Sequence, residues 1–438
     1  MKSRTHCIVV SEDHETDDNF PINLPEEIWE TYPREVESGT LMLSMCRRKL
    51  GDDTLGDKTG YDFTVLQSQR SVEHVGERIL KAQGIMTVAV ISVSTADSKP
   101  THSAQELATA LFDPKRVNLR TQYEACSFGK LQWRLQADAV FDVEVPKAIS
   151  DFESAAELVS VAEQRLRARL FLRSVGDLAD KVILCIPPGT GDWAASAGVN
   201  HWRVQLNNDW CTSLTGTVHE LAHTLGLLHS NADGEKYADR SGMMGSGHKD
   251  SSHPQKCFNG YHSHQFGWYS DRTLTVSENP HVLTELATFV DYNRTSPDQN
   301  VIIIVAEQYY LQYNVAKGFN KGTEHARNRI TITEPTHNGT DRLAGLRVGE
   351  SYQVPNFRGS GETLVIEACG TNRLEGLFQP QTITVSIGLG ISLCLSGATE
   401  AAIVAPQTQQ LKNRMRPSLA QRFLRLLLTK PIQEVEPK

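Results

Sequence analysis

Three histidines and one glutamate in one short stretch have the types and the spacing of a metal-dependent hydrolytic site. His219, Glu220, His223, Gly226 and His229 form the pattern HExxHxxGxxH. Residues four apart on an α-helix lie on the same face, so the first two imidazoles face one point. A catalytic zinc site uses three protein ligands and leaves a fourth position open for water. The pattern therefore predicts zinc as the cofactor, held by His219, His223 and His229.

Glu220 and Gly226 have different predicted roles around this metal. The Glu220 carboxylate follows the first ligand directly, so it can reach the water in the open position as catalytic acid/base without binding the metal. Gly226 adopts positive φ at little cost, so it can end the helix and return the chain to bring in His229. The alternative is an ordinary buried helix whose histidines bond backbone groups, and the continuation of the pattern downstream argues against it.

A Gly-flanked turn with the sequence YADRSGMMG follows at 237–245. A methionine in a tight turn beneath a three-histidine site is the second half of the metzincin pattern, in which the thioether forms an apolar floor under the imidazoles. We expect Met244, rather than Met243, to be this Met-turn residue. A second metal site is conceivable further along, but the spacing there matches no ligand template. Solvated loop histidines and a helix from about Asn259 are favoured for the histidines His248, His253, His262 and His264.

Composition narrows the class of protein. The chain has 438 residues and a net charge of −8 from 44 basic and 52 acidic residues, which argues against a general nucleic-acid surface. Its apolar runs are too short for a transmembrane segment, and the N-terminus is not a convincing signal peptide. The eight cysteines form no CxxC pair, and they suit either a secreted protein with a few disulfides or free thiols in a cell. Two glycosylation sequons, at Asn293 and Asn338, support secretion only weakly.

The residues before the motif alternate between predicted strands and predicted helices. Ser103 with Glu106 has the spacing of a capping box and predicts a short helix. Ser150 with Glu153 has the same spacing and predicts a long helix that stops at Gly176. The helix that carries the motif is predicted from about 212 to 225. Strands are predicted at 85–93, 131–135, 141–145, 181–186 and, as an edge strand, within 193–206. This alternation is typical of an α/β domain.

Four regions are predicted along the chain. Residues 1–84 are an N-terminal region, a pro-segment remnant or a β-rich lobe. In a latent form Cys7 or Cys46 could bind the zinc, although a structural or free cysteine is favoured. Residues 85–270 are the metallopeptidase domain, 271–395 are a β-rich domain with many short strands, and 396–438 are a weakly ordered tail. The tail contains a basic amphipathic segment at 416–427, for which docking on the protein is favoured over a membrane surface.

The chain resembles the gametolysin-type metallopeptidases, which are metzincin zinc endopeptidases of algae. The resemblance is carried by HELAHTLGLLHS at 219–230, YADRSGMMG at 237–245 and CFNGYHSHQFGW at 257–268. It implies an α/β metzincin-like catalytic domain, with a mixed twisted sheet, long helices, a zinc helix and a Met-turn, followed by a β-sandwich-like domain. It also implies the three histidines as ligands, Glu220 as acid/base and Met244 as the Met-turn residue. Some metzincins place a tyrosine two residues after the methionine, but here that position is Ser246.

These patterns predict a zinc-dependent endopeptidase of extracellular matrix or cell-wall glycoproteins, located outside the cell or in the cell wall. We expect a monomer that acts on protein or glycoprotein substrates and not on nucleic acid. The substrate would lie extended along an edge strand at 202–206. The alternatives are another zinc hydrolase, an unprocessed zymogen, and a catalytically silent zinc-containing adhesion or matrix-binding protein. A binding module has no need of Glu220, which argues against the last of these.

Overall fold

The structure, a computed structural model, describes residues 80, 82–245, 255–276, 279–372 and 379–394, and the backbone of three strands before them. The strands are β1 Cys7–Val10, β2 Leu41–Lys49, β3 Thr59–Ser68, β4 Gly84–Thr95, β5 Leu131–Val145, β6 Lys181–Ile186, β7 Ala195–Ala197, β8 Arg203–Asn207, β9 His229–Ala232, β10 Thr273–Thr275, β11 His281–Ala287, β12 Ile303–Ala306, β13 Tyr309–Asn314, β14 Arg329–Thr336, β15 Gly339–Leu346, β16 Ser351–Val354, β17 Leu364–Asn372 and β18 Thr382–Leu389. The α-helices are α1 Ala104–Phe112, α2 Leu119–Ser127, α3 Ala155–Leu170, α4 Leu214–Thr224 and α5 Gly260–Gln265.

A five-stranded mixed sheet with the order β5-β4-β6-β8-β7 forms the centre of the first half of the chain. The first four strands in that order pair in parallel, and β7 pairs with β8 antiparallel. Successive residues of a strand face opposite sides of a sheet, and here both sides are covered. Val88 and Val90 pack in the core that contains residues of α1, α2 and α4, whereas Ala89 and Ile91 pack with α3. The predicted α/β arrangement with a mixed sheet is therefore present.

Two boundaries inside this unit differ from the predictions. The strands predicted at 131–135 and 141–145 form the single strand β5, whose register with β4 shifts between Val88 and Val90. Asp138, with a φ of 58°, lies in the middle of that strand. The second difference is α2, a helix that the sequence reasoning did not identify. It is capped by Asn118, whose side chain accepts a hydrogen bond from the Thr121 backbone N–H.

The long helix begins and ends at other residues than predicted. The predicted cap was Ser150, but the side chain that accepts the first-turn backbone N–H belongs to Ser154, and α3 starts after it. Both serines have a glutamate three residues later, so the local spacing did not distinguish them. The helix ends at Leu170, where Phe171 adopts the left-handed conformation with a φ of 56°. The predicted stop at Gly176 lies beyond that end.

Two further sheets are built largely from residues after 270. One has the order β10-β12-β13-β14-β15-β9 and the other β11-β18-β17-β16, and side chains of both contribute to one hydrophobic core. The predicted domain boundary at 270 stays a prediction, but packing crosses that position. Ile303 and Tyr310 belong to the same core as α4. In addition, β9, which precedes 270, pairs in parallel with β15.

Disulfides link six of the described cysteines: Cys126 to Cys257, Cys185 to Cys211 and Cys369 to Cys394. The sequence left disulfides and free thiols open and favoured a packing role for Cys185. That residue is buried in β6 and is also half of a disulfide. Cys7 and Cys46 face each other across the β1–β2 register. Their side chains lie outside the described residues, so the latent form stays a prediction.

No helix among the described residues is both long and apolar enough to cross a membrane. The predicted amphipathic segment at 416–427 and the tail that contains it lie outside the part of the chain that the structure describes.

Candidate metal centre

The motif forms helix α4 and the reversal that follows it. Ser213 caps the helix, because its Oγ accepts a hydrogen bond of 3.2 Å from the backbone N–H of Gly216. At the other end Gly226 has a φ of 104°, and a Cβ on it would lie 2.6 Å from Oδ1 of Asn200. The backbone N–H of Gly226 donates to the carbonyl of His223. The chain can turn back here only with glycine, and the turn leads into β9, whose first residue is His229.

The three predicted ligands converge on one point. Their ligand nitrogens all lie within 4.8 Å of one another, and Nε2 of His223 is 3.0 Å from Nε2 of His219. The ring centroid of His229 is 5.4 Å from that of His219 and 4.7 Å from that of His223. Among the described residues, these histidines form the one group of three or more His, Cys, Asp or Glu side chains with such spacing. A second metal cluster is therefore not present in the described part, and His248 and His253 lie outside it.

Backbone carbonyls orient two of the rings. Nδ1 of His219 lies 3.1 Å from the carbonyl oxygen of Met243, and Nδ1 of His223 lies 2.8 Å from that of Leu227. A carbonyl can only accept, so each Nδ1 carries the proton and donates it. The Nε2 lone pairs are then left for a metal, which is how histidine ligands are normally held. The donor set fits a divalent metal with a preference for imidazole nitrogen.

Electrostatics also favour metal binding, because the imidazoles are neutral. Burial lowers the pKa of His219 well below its usual value, and it lowers the pKa of His223 in the same direction. Burial and the neighbouring His223 together lower the pKa of His229 to about 3. Neutral imidazole is the form that binds metal. The metal-free site is therefore already in its binding form at neutral pH.

Glu220 is 7% exposed, on the helix between the two helical ligands. In the metal-free chain, burial raises the pKa of its carboxyl to about 8. A bound metal cation would favour the ionised form of this carboxyl. The carboxylate follows the first ligand directly in the chain, so it could act there as an acid/base.

The backbone of the turn at 237–245 accepts hydrogen bonds from the ligand His219 and from the residue after the ligand His229. The carbonyl of Met243 accepts the bond from His219, and the carbonyl of Met244 accepts a 2.8 Å bond from the N–H of Ser230, which follows His229. Both methionines are buried in the main core. The assignment of Met244 as the Met-turn residue stays a prediction, and Ser246 lies outside the described residues.

Tyr237 is a site residue that the sequence reasoning missed. Its ring centroid is 4.0 Å from that of His229 and 6.2 Å from that of His219. It has a φ of 60°, a conformation that costs energy in a residue with a side chain. The sequence offered only an aromatic residue at the start of the YADRSGMMG segment. Nothing in that segment indicates that the ring packs on a ligand eight residues earlier.

The edge strand beside α4 lies within the predicted segment 193–206, but not at the residues that were expected to hold the substrate. The substrate was expected at 202–206, but β8 occupies that stretch and is paired on both sides, with β6 and with β7. Among the described residues, the edge of this sheet on the side of β8 is β7, which lies against α4. Alternation of apolar and polar residues could not decide this, because it reports burial of the side chains and not pairing of the backbone.

The chain was compared with known proteins. Residues 86–322, more than half of the chain, match the model of a family described as gametolysin peptidase M11. The comparison with curated proteins found no match. A solved structure described as "Structure of a chaperone-substrate complex" matches at 15% sequence identity over 44% of this chain, with a TM-score of 0.19. The match spans only 27% of that structure's own chain, and a likeness this low carries no argument. The family match covers the whole candidate centre, and the chain belongs to the gametolysin family of metallopeptidases.

Proposed function

We propose that this chain is a zinc-dependent endopeptidase in which His219, His223 and His229 bind the metal and Glu220 is the general acid/base. The convergence of three neutral imidazoles beside a buried carboxyl is the observation that carries this proposal. Zinc, when bound, supplies a Lewis acid that polarises the scissile carbonyl and lowers the pKa of water. We place the protein among the metzincins, with Met244 as the apolar floor under the site.

Glu220 performs the proton transfers in this proposal. The carboxylate takes a proton from the attacking water as the new C–O bond forms. It then gives that proton to the departing nitrogen as the C–N bond breaks, so the residue returns to its starting state. The buried position of the side chain keeps competing water away from the carboxyl, and a nearby metal cation would favour the carboxylate form that accepts the first proton.

The free edge of β7 is the proposed place for an extended substrate. The N–H of Asn207 donates to the carbonyl of Ala194, and in an antiparallel pair the bonded and non-bonded positions alternate. Ser196 therefore bonds to β8, whereas the backbone groups of Ala195 and Ala197 face away from it. A peptide can pair with these groups by strand addition. Such pairing uses the backbone of the peptide, so it accepts many different side chains.

Extracellular matrix or cell-wall glycoproteins are the proposed substrates, and the proposed location is outside the cell. The disulfides support an oxidising compartment, because such bonds persist there and are rare in the cytosol. We propose a monomer. A catalytically silent zinc-containing adhesion or matrix-binding protein is the alternative, and the test below separates the two.

Hydrolysis of casein and gelatin by the zinc-loaded full chain tests the proposal, with and without a chelator. Glu220→Gln should retain zinc and lose about 10²–10⁴ in turnover, and Glu144→Gln, at an exposed position on β5, should retain activity. His229→Ala should lower the zinc content. Full activity in Glu220→Gln would contradict the assignment of the base. Bound zinc without any hydrolysis in the parent chain would favour the adhesion alternative.

A further inference from the structure

Strand β15 lies directly beside the strand that carries the third ligand. The pairing with β9 is parallel, with Gly339 opposite His229, Thr340 opposite Ser230 and Arg342 opposite Ala232. The family match ends at residue 322, so β15 lies outside it. The residues of β15 that face β9 are therefore candidates for a role at the metal centre that the family match does not cover.

Gly339 permits the close approach of the two strands. It has a φ of 125°, and a Cβ added to it would lie 2.1 Å from the carbonyl oxygen of His229 and 2.9 Å from its nitrogen. Those are backbone atoms, so no side-chain rotation could relieve the contact. Any residue larger than glycine must push the backbone of His229 away. Gly339 is also the middle residue of the sequon Asn338-Gly339-Thr340, and the close approach to His229 explains why this position is a glycine.

Thr340 continues this contact through buried polar groups. The side-chain amide of Asn259 donates to Oγ1 of Thr340 at 2.8 Å and to Oγ of Ser230 at 3.0 Å. All three side chains are buried, and Oδ1 of Asn259 caps α5 by accepting from the N–H of His262. Buried polar groups hold a fixed geometry because each lost bond is costly. The residue after the ligand His229 is thereby tied to β15.

Arg342 ties the same strand to the turn that orients His219. Its Nε lies 3.0 Å from Oδ1 of Asp239, a side chain with 0% exposure inside the turn at 237–245. The same oxygen accepts bonds from the N–H and Oγ of Ser241. A Cβ on Gly245 would lie 2.0 Å from the carbonyl oxygen of Asp239, so the turn closes tightly around this residue. Removing the guanidinium would take away the cation that contacts this buried carboxylate directly, although the buried Lys256 ammonium also interacts with Asp239 electrostatically.

We propose that β15 is a structural part of the metal centre, in which Gly339 positions the ligand His229 and Arg342 positions the turn that holds the ring of His219. Both are positioning residues that act through other groups. The inference rests on the proposed function, because it requires that the three histidines bind a metal. It adds that residues beyond the family-matched segment set how tightly the metal is held.

Zinc affinity of the purified full chain tests this, measured by competition with a chromogenic chelator. Gly339→Ala and Arg342→Met should each weaken zinc binding by about 10- to 100-fold, the usual effect of losing a group that orients a ligand. Circular dichroism should show that both fold, and the absorption spectrum of the cobalt-substituted protein should change. Gly349→Ala is the matched control for the glycine, since Gly349 also has a positive φ, 84°, but no described atom lies within 4 Å of its added Cβ. Arg347→Met, at an exposed position just after β15, is the control for the arginine. Both controls should bind zinc as the parent does.

The outcomes are distinct. Weaker zinc binding in the two folded variants, with unchanged controls, supports the proposal. Parent-like affinity and cobalt spectra in both variants would overturn it. It would equally be overturned if both variants failed to fold while the controls folded, since β15 would then support the fold as a whole. A parent chain that binds no zinc would overturn the proposed function, and with it the basis of this inference.

Discussion

Replacing Glu220 with glutamine is expected to stabilise the metal-free chain at alkaline pH. Burial raises the pKa of this carboxyl from 4.5 to about 8, so between these values the folded chain binds a proton that the unfolded chain has released. Stability must then fall as pH rises through that window. At about 1.4 kcal/mol per pKa unit, the full shift corresponds to at most about 5 kcal/mol. Glutamine stays neutral, so the variant lacks this loss.

Urea unfolding measures the effect, after removal of metal with a chelator and with the disulfides intact. The midpoints of the parent and of Glu220→Gln should nearly coincide at pH 5 and should differ most at pH 8.5, with the variant more stable. Glu144→Gln, which replaces an exposed carboxyl on β5, is the matched control. An equal difference between parent and Glu220→Gln at the two pH values would refute the reasoning, since the carboxyl would then not be held protonated by burial. With zinc bound, the nearby cation favours the carboxylate, so the divergence should shrink.

Three further outcomes are expected. Gly226→Ala should lower the unfolding free energy by about 1–3 kcal/mol and weaken zinc binding, because the added Cβ would meet Oδ1 of Asn200. The control is Gly234→Ala, which should leave zinc affinity unchanged, since Gly234 has a φ of 77° and no described atom lies within 4 Å of its added Cβ. Tyr237→Ala should weaken zinc binding about tenfold, whereas Tyr237→Phe should bind zinc as the parent does, because the ring packs on His229. Loss of zinc affinity in the phenylalanine variant would contradict a packing role. Zinc affinity should fall much less between pH 7.5 and 5.5 than the factor of about 10³ that three ordinary imidazoles would lose, because burial lowers the pKa values of all three ligands. A loss of about 10³ would contradict the neutral site.

Sequence patterns predicted the structure correctly where a residue contacts others that are only a few positions away in the chain. The capping box at Ser103 and Glu106 forms as expected, with both reciprocal bonds. The β-rich run from 85 to 93 lies within β4, and its residues 88–93 are buried. The i, i+4 spacing of His219 and His223 brings their rings together on α4. Where two local solutions were equally good, as at Ser150 and Ser154, the spacing could not choose, and tertiary packing of the helix decided.

The sequence by itself therefore determined the donor types, their helical spacing and the glycine that reverses the chain, because these depend on short-range geometry. Tertiary structure decided everything that depends on register between distant strands. The sequence did not show that β7, and not β8, is at the sheet edge, nor that Cys126 bonds Cys257. It also did not indicate that Gly339, more than a hundred residues after the motif, lies against His229. Such pairings arise from the burial of many side chains at once, so no short pattern of residues specifies them.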